Sequence, residues 1–269
     1  MSITKNIRRI IFICIGVVAG GVFVVLLAAA VNARNHQVCK GYEIEFKNND
    51  QKFFIDKKDV EKALTANKTI VLKNKPVKSI DLNIIEARLK KEPWVKDAEI
   101  FFDNNEMLKV KIMQREPVAR LFSSSGGSFY IDTAGVRMPL SDKASARLPV
   151  FTGYPIEHKK NRTPADIKLV REIKTLSQYL VSDPFWMAQI AQVHITPARE
   201  FEMIPTIGNH VIEFGDGTDH EAKFRRLFIF YKQVLAKTGM DTYERIKVQY
   251  DNEVIGVKKS STIQKIYNN

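Results

Sequence analysis

The chain is poor in the residues and motifs that usually mark chemistry. It has two cysteines, Cys14 and Cys39. One lies inside an apolar run and the other just beyond it, so no disulfide framework follows. The five histidines, His36, His158, His194, His210 and His220, are scattered, with no pair at metal-ligand spacing. There is no Gly-x-Ser-x-Gly elbow, no His-Glu-x-x-His, no phosphate loop and no complete dinucleotide fingerprint. Gly215-Asp216-Gly217-Thr218-Asp219 faintly resembles a calcium loop, but the closing Glu is missing. A turn with a helix cap at Thr218 or Asp219 explains that segment better. Asp132, just before Gly135, reads as a turn residue rather than a general base. No internal repeat is visible, which removes solenoid architectures. An enzyme would need a site assembled from residues far apart in the sequence. The expectation is a non-catalytic protein with no cofactor and no metal.

One-sided charge is also missing. The net charge is +12, yet basic residues mostly alternate with acidic ones, as in Asp56–Lys62 and Glu86–Lys96. That pattern describes a mixed, solvated surface. No RNA-binding aromatic motif or zinc-finger spacing accompanies it, so a nucleic-acid partner is not expected.

What the chain does have is one long apolar run. Ile10 to Val31 carries no charged residue. As a helix it would be about 33 Å long, enough for a hydrocarbon core of about 30 Å. Lys5, Arg8 and Arg9 precede it, which places the N-terminus in the cytoplasm and the remainder outside. A cleavable signal peptide is the rival reading, because Ala28-Ala29-Ala30 offers a small-residue cleavage pattern. The apolar stretch before those alanines is about 18 residues, against about 7–15 for a usual signal core. The expected organisation is a cytoplasmic tail over 1–9, a transmembrane helix over 10–31, a first domain over 38–116, a second over 117–260 and a tail over 261–269.

The first domain reads strand, helix, helix, strand, strand. Tyr42–Phe46 alternates as a strand. Asp56 caps a helix, with Asp59 three residues on and Val60, Ala63 and Leu64 as its apolar stripe. Ser79 is expected to cap a second helix that ends by Glu92, before Pro93. Val95–Phe102 and Met107–Met113 form a hairpin about Asp103-Asn104-Asn105. Two helices must then cover one face of a three-stranded sheet, which cannot bury a core alone. Trp94, at the helix-to-strand joint, is expected to anchor that core. This order resembles that of the POTRA module, and the resemblance implies a unit for protein contacts outside the cytoplasm.

After Pro117 strands dominate. They are expected at Ala119–Phe122, Ser128–Asp132, Ile190–Ile195, Glu200–Ile204 and His210–Phe214, with Pro149–Gly153 closing the first of these sections. One helix starts at Thr163-Pro164 and another carries Phe224, Leu227, Phe228, Tyr231, Val234 and Leu235. Arg245–Tyr250 and Val254–Lys258 are expected to form a tight hairpin through Asp251-Asn252. Ile246, Val248 and Tyr250 would share one face, and Arg245, Lys247 and Gln249 the other. The last strand is a candidate sheet edge, and an edge offers unpaired backbone groups to a second chain. The fold class expected is α+β, a β-α-α-β-β module followed by a strand-rich β domain with two helices.

Pro93-Trp94-Val95 with Ala98, Arg115-Glu116-Pro117-Val118-Ala119, Asp132 with Gly135, and Leu148-Pro149 with Gly153 occur in this order behind the apolar run. In that combination the chain resembles the FtsQ/DivIB family of bacterial cell-division proteins. The resemblance implies a single-pass protein of the cell inner membrane at the division septum, without enzymatic activity. It also implies a divisome scaffold that binds the bitopic proteins FtsB and FtsL and helps to regulate septal cell-wall synthesis. In the family, FtsB is added as a strand beside the last hairpin. Here Tyr250 and Asp251 match the family's Tyr-Asp, and Gly256 stands about one residue from its following Gly. The acidic-leucine-arginine run before the Tyr is replaced by Lys247-Val248-Gln249, and no aromatic follows Gly256. The candidate partner-binding residues are Tyr250, Asp251, Val254, Gly256 and Val257. The runner-up function is a POTRA-bearing export or envelope-assembly component, disfavoured because no β-barrel follows; a third is an anchored envelope enzyme.

Overall fold

A computed structural model of the chain describes residues 15–26, 37–47, 54–155 and 163–259. Of the expected membrane helix, residues 15–26 are helical (α1), with apolar side chains such as Val17, Phe23 and Val25 exposed. Among the described residues no helix is long and apolar enough to cross a membrane. Both ends of that expected span lie outside the described residues. So do Lys5, Arg8 and Arg9, and the tail over 261–269.

The described residues fall into two compact units, the first holding those up to residue 47 and Ile55–Gln114, the second Phe54 and those from Arg115 onward. The first contains β1 (Gly41–Phe46), α2 (Lys57–Leu64), α3 (Leu82–Leu89), β2 (Val95–Phe102) and β3 (Met107–Gln114). Its sheet order is β1-β3-β2, with β1 parallel and β2 antiparallel to the central β3. On β3, Leu108, Val110 and Ile112 are fully buried, as period-two alternation requires of a central strand under helices. Each such side chain contributes about 1.5–3 kcal/mol on burial. α2 starts with a complete capping box: the Asp59 amide donates to Asp56 at 2.9 Å and the Asp56 amide donates to Asp59 at 3.2 Å. The cap of α3 is Asp81, not Ser79. The Ser79 hydroxyl donates to the Pro76 carbonyl (2.7 Å) in a short 3-10 turn, while the Asp81 carboxylate accepts the Asn83 and Ile84 amides. α3 ends at Leu89, and Trp94 is buried beyond it.

The second unit is a nine-stranded sheet with helices on one face. Its strands are β4 (Pro117–Ser123), β5 (Ser128–Asp132), β6 (Arg137–Met138), β7 (Val150–Tyr154), β8 (Ile190–Ile195), β9 (Phe201–Pro205), β10 (Val211–Gly215), β11 (Tyr243–Lys247) and β12 (Ile255–Lys258). Their order is β12-β11-β10-β9-β8-β7-β4-β5-β6. Two helices are where the sequence places them: α4 (Pro164–Ser182) and α6 (His220–Phe230). α6 runs on through a π-helical turn at Tyr231–Leu235 into the short α7 (Ala236–Thr238). A further helix, α5 (Pro184–Gln189), is additional to the two expected. Asp183 caps it and Pro184 opens it, but six residues show no periodicity to read. Leu121, Phe151, Val193, Met203, Ile212, Phe214 and Ile246 of the sheet pack with Leu169, Ile173, Leu176, Trp186, Phe224 and Leu227 of the helices.

Arg115, Asp132 and Gly135 build one turn. The Asp132 carboxylate is buried, accepts the Ala134 (2.9 Å) and Val136 (2.7 Å) amides, and pairs with Arg115 Nη1 at 2.6 Å. Gly135 takes the positive φ of 75° that the turn needs. Asp132 therefore holds structure, as its place before Gly135 suggests.

Candidate partner-binding edge

β11 and β12 end the sheet opposite β6. β11 is parallel to β10, and β12 is antiparallel to β11 with Ile246 facing Gly256 and Arg245 facing Val257. No described strand pairs with the outer side of β12. Among the described residues its outer backbone groups therefore have no strand partner, as at a sheet edge.

The connection is wider than the tight hairpin expected. β11 ends at Lys247 and β12 begins at Ile255. The cause is hydrogen bonding by other elements. The Val248 amide donates to the Glu213 carbonyl of β10 at 3.0 Å. Arg226 Nη2, on α6, donates to the carbonyls of Val248 and Tyr250, both at 3.1 Å. Those carbonyls are drawn to the helix and cannot extend the β11–β12 ladder. The alternation accordingly stops: Ile246 and Val248 are fully buried, whereas Tyr250 is 43% exposed.

The five candidate residues are distributed unevenly. Tyr250 and Asp251 are exposed on the connection. Val257 is exposed on β12. Val254 is half-buried and packs against the core, so it does not stand beside Val257. Gly256 serves packing. A Cβ there would sit 2.5 Å from the Tyr243 ring and 3.2 Å from Phe230, so only glycine lets β12 lie on these rings. The residue missed is Ile255, exposed like Val257 and two positions from it on the same face. Period two over Ile255–Lys258 contains that signal.

Behind β12, a cavity of about 270 Å³ lies between α6 and the connection, lined by Ile229, Phe230, Val234, Glu253 and Val254 among others. In front of it, the open sheet face carries an ion network. Arg245 pairs with Glu213 and Glu202, and Lys247 pairs with Glu213 at 3.1 Å. Burial pushes the Glu213 carboxyl up, but hydrogen bonds from Arg245 and Lys247 outweigh it and leave the group below its usual range.

A polar cleft of about 570 Å³ lies beside Tyr250 and Gln249. Its basic residues are paired with nearby carboxylates. Lys223 Nζ donates to the Asp216 carbonyl (2.9 Å) and carboxylate (3.2 Å), and Arg199 pairs with Asp166 at 2.6 Å. Lys168 lies 3.5 Å from Glu172 and 3.3 Å from Asp216. Burial raises the Glu172 carboxyl, partly countered by Lys168. For Asp216 burial acts upward, but the Thr218 hydroxyl and Lys223 dominate and hold it well below the carboxylate range. Neither Thr218 nor Asp219 caps α6 with its side chain. The Thr218 hydroxyl is used by Asp216, and Asp219 takes a left-handed φ of 47°. Among the described residues no three His, Cys, Asp or Glu side chains gather as a metal site. His210 is buried with Nε2 2.8 Å from the Tyr231 hydroxyl.

Comparison with known proteins agrees with this architecture. A family model described as FtsQ/DivIB, C-terminal related, matches residues 116–257, and one described as a POTRA-like domain matches residues 37–113. A cell division protein FtsQ of Salinibacter ruber is 27% identical over 64% of this chain and 68% of its own length. One from Geotalea daltonii is 28% identical over 66% of this chain and 63% of its own. One from Rhodothermus marinus is 25% identical over 65% of each. The chain thus spans about two thirds of the length of these relatives. With a family model covering more than half of its residues, the chain belongs to the FtsQ/DivIB family of non-catalytic bacterial cell-division proteins.

Proposed function

We propose that this protein is a divisome scaffold that receives FtsB- and FtsL-like bitopic partners at β12. The reading rests on one observation above the others: β12 is a terminal strand with Ile255 and Val257 exposed and its outer edge open. A partner strand added there gains main-chain hydrogen bonds, and its alternate side chains meet Ile255 and Val257 on one face. Tyr250 and Asp251 flank the strand on the connection. Arg226 and Gly256 work indirectly, by fixing the connection and seating the strand.

The membrane part belongs to the same reading. Ile10–Val31 anchors the chain, residues 1–9 stay in the cytoplasm, and the units over 38–116 and 117–260 lie outside it at the septum. The apolar run, its basic flank and the exposed side chains of α1 support this arrangement. Scaffolding assembles and regulates septal wall synthesis with no chemical step in this chain.

Co-purification with the partner tests the edge. Tyr250→Ala and Val257→Asp should each reduce capture while circular dichroism and melting stay unchanged. Undiminished capture by both variants would remove β12 as the site. A fluorescent fusion on the N-terminal tail, combined with depletion, tests the role. Septal signal and filamentous cells are expected; diffuse signal with normal division counts against it.

A further inference from the structure

The first unit carries a one-sign patch that the proposed partner-binding edge, on the other unit, does not use. From Lys62 to Ile80 there are five lysines and no acidic residue, in a chain whose charges otherwise mix. The segment is held by Leu64, Leu72 and Ile80, all buried. Between them Lys68, Lys73 and Lys75 are exposed, and none is ion-paired among the described residues. Val71, beside buried Leu72, is 67% exposed. An apolar tip among unpaired lysines is the composition of a surface that meets anionic headgroups.

Its place in the fold points the same way. The loop is bound to the first described residues after α1. The Cys39 amide donates to the Lys75 carbonyl (2.8 Å), the Asn74 amide to the Cys39 carbonyl (2.7 Å), and the Val77 amide to the Gln37 carbonyl (2.9 Å). Val38 and Pro76 form a bridge. Gln37 stands about six residues after Val31, a reach of about 20 Å at full extension. The nearby Glu106 carboxylate is already paired with Lys40 at 2.6 Å, so it does not neutralise Lys68, Lys73 or Lys75.

We propose that the loop Lys68–Lys78 docks on anionic phospholipid headgroups of the membrane that holds the anchor, with Val71 entering the interface. The inference rests on the anchor reading above. Docking would orient the first unit against the bilayer.

Hydrogen exchange on the full chain tests it, in nanodiscs of phosphatidylcholine alone and of phosphatidylcholine mixed with phosphatidylglycerol. Amides of Lys68–Lys78 should exchange several-fold more slowly in the mixed discs. The difference should vanish in about 1 M salt, where the Debye length is about 3 Å. Lys73→Glu with Lys75→Glu should abolish it, at about fivefold per lysine removed, while amides of β3 remain protected. A chain that enters both discs and exchanges equally in them overturns the docking alone. A chain that enters neither overturns the anchor and the docking with it. Slowing that appears in both discs only on adding partner proteins replaces lipid with an acidic protein contact.

Discussion

The nine-stranded sheet ends differently at its two sides. β6 is two residues long, its Met138 is fully buried, and the Arg137 guanidinium lies 3.7 Å from the Phe129 ring centre. The turn that leads into it is held by the buried Asp132–Arg115 pair. β12 is longer, exposes Ile255 and Val257, and is supported by packing on Tyr243 and by ions on β10 and β11. Short, charged edges resist adventitious strand pairing, and long apolar ones invite it. One side of the sheet is finished against contact, and the other is left available. The two sides should therefore respond to mutation in opposite currencies: stability at β6, binding at β12.

The strongest test attacks the closed side. Asp132→Ala removes the buried carboxylate that pairs with Arg115 Nη1 and accepts two backbone amides. Breaking a buried pair this way costs about 3–5 kcal/mol. Urea unfolding should show that loss, while the fraction that remains folded captures the partner at wild-type affinity. A loss of affinity equal to the loss of stability would erase the distinction between the sides. Next, Gly256→Val forces a side chain into the Tyr243 ring. Overpacking of this kind costs about 1–3 kcal/mol. Here the binding loss should exceed the stability loss, because β12 is displaced while the helical core stays in place.

How much of this was legible in the sequence depends on the range of the cause. The capping box at Asp56, the Thr163-Pro164 start of α4 and the alternation of β3 are local, and each lies where periodicity and capping place it. The Asp132 turn was also readable, because Asp132 and Gly135 are near neighbours. The connection after β11 was not. Its conformation is set by Arg226, 22 and 24 residues before the carbonyls it binds. Nor was the role of Gly256 visible, since the rings it accommodates come from α6 and β11. Ile255 shares a face with Val257, two residues on, whereas Val254 precedes the strand and packs against the core.

Ile255→Lys sharpens the open side. The residue is 39% exposed, so stability should move by no more than about 0.5 kcal/mol. Partner affinity should fall about tenfold or more, as for an apolar contact residue replaced by a charge. Calorimetric titration with the partner segment checks both the affinity and the unchanged fold. A partner that binds Ile255→Lys normally, yet fails on Tyr250→Ala, would move the contact from the strand to the connection.

The smallest effect concerns the ions under the open side. The Glu213 carboxyl lies below its ordinary value of 4.5 in the folded chain, because Arg245 and Lys247 outweigh its burial. A depressed carboxylate adds stability that is present above the unfolded value and is lost as pH falls through the folded value. The window is therefore below about pH 4.5, with the folded protein resisting protonation longest. Arg245 and Lys247 are about one third exposed, which limits the contribution to about 1 kcal/mol or less. Glu213→Gln removes this carboxylate and its proton uptake. Its melting temperature should fall less steeply than that of the wild type as pH drops below 4.5, with the two curves converging in strong acid. Parallel curves would mean that Glu213, Arg245 and Lys247 hold β11 to β10 no more firmly than neutral side chains would. The open edge would then stand on Gly256, the two rings and the Arg226 bonds to the connection.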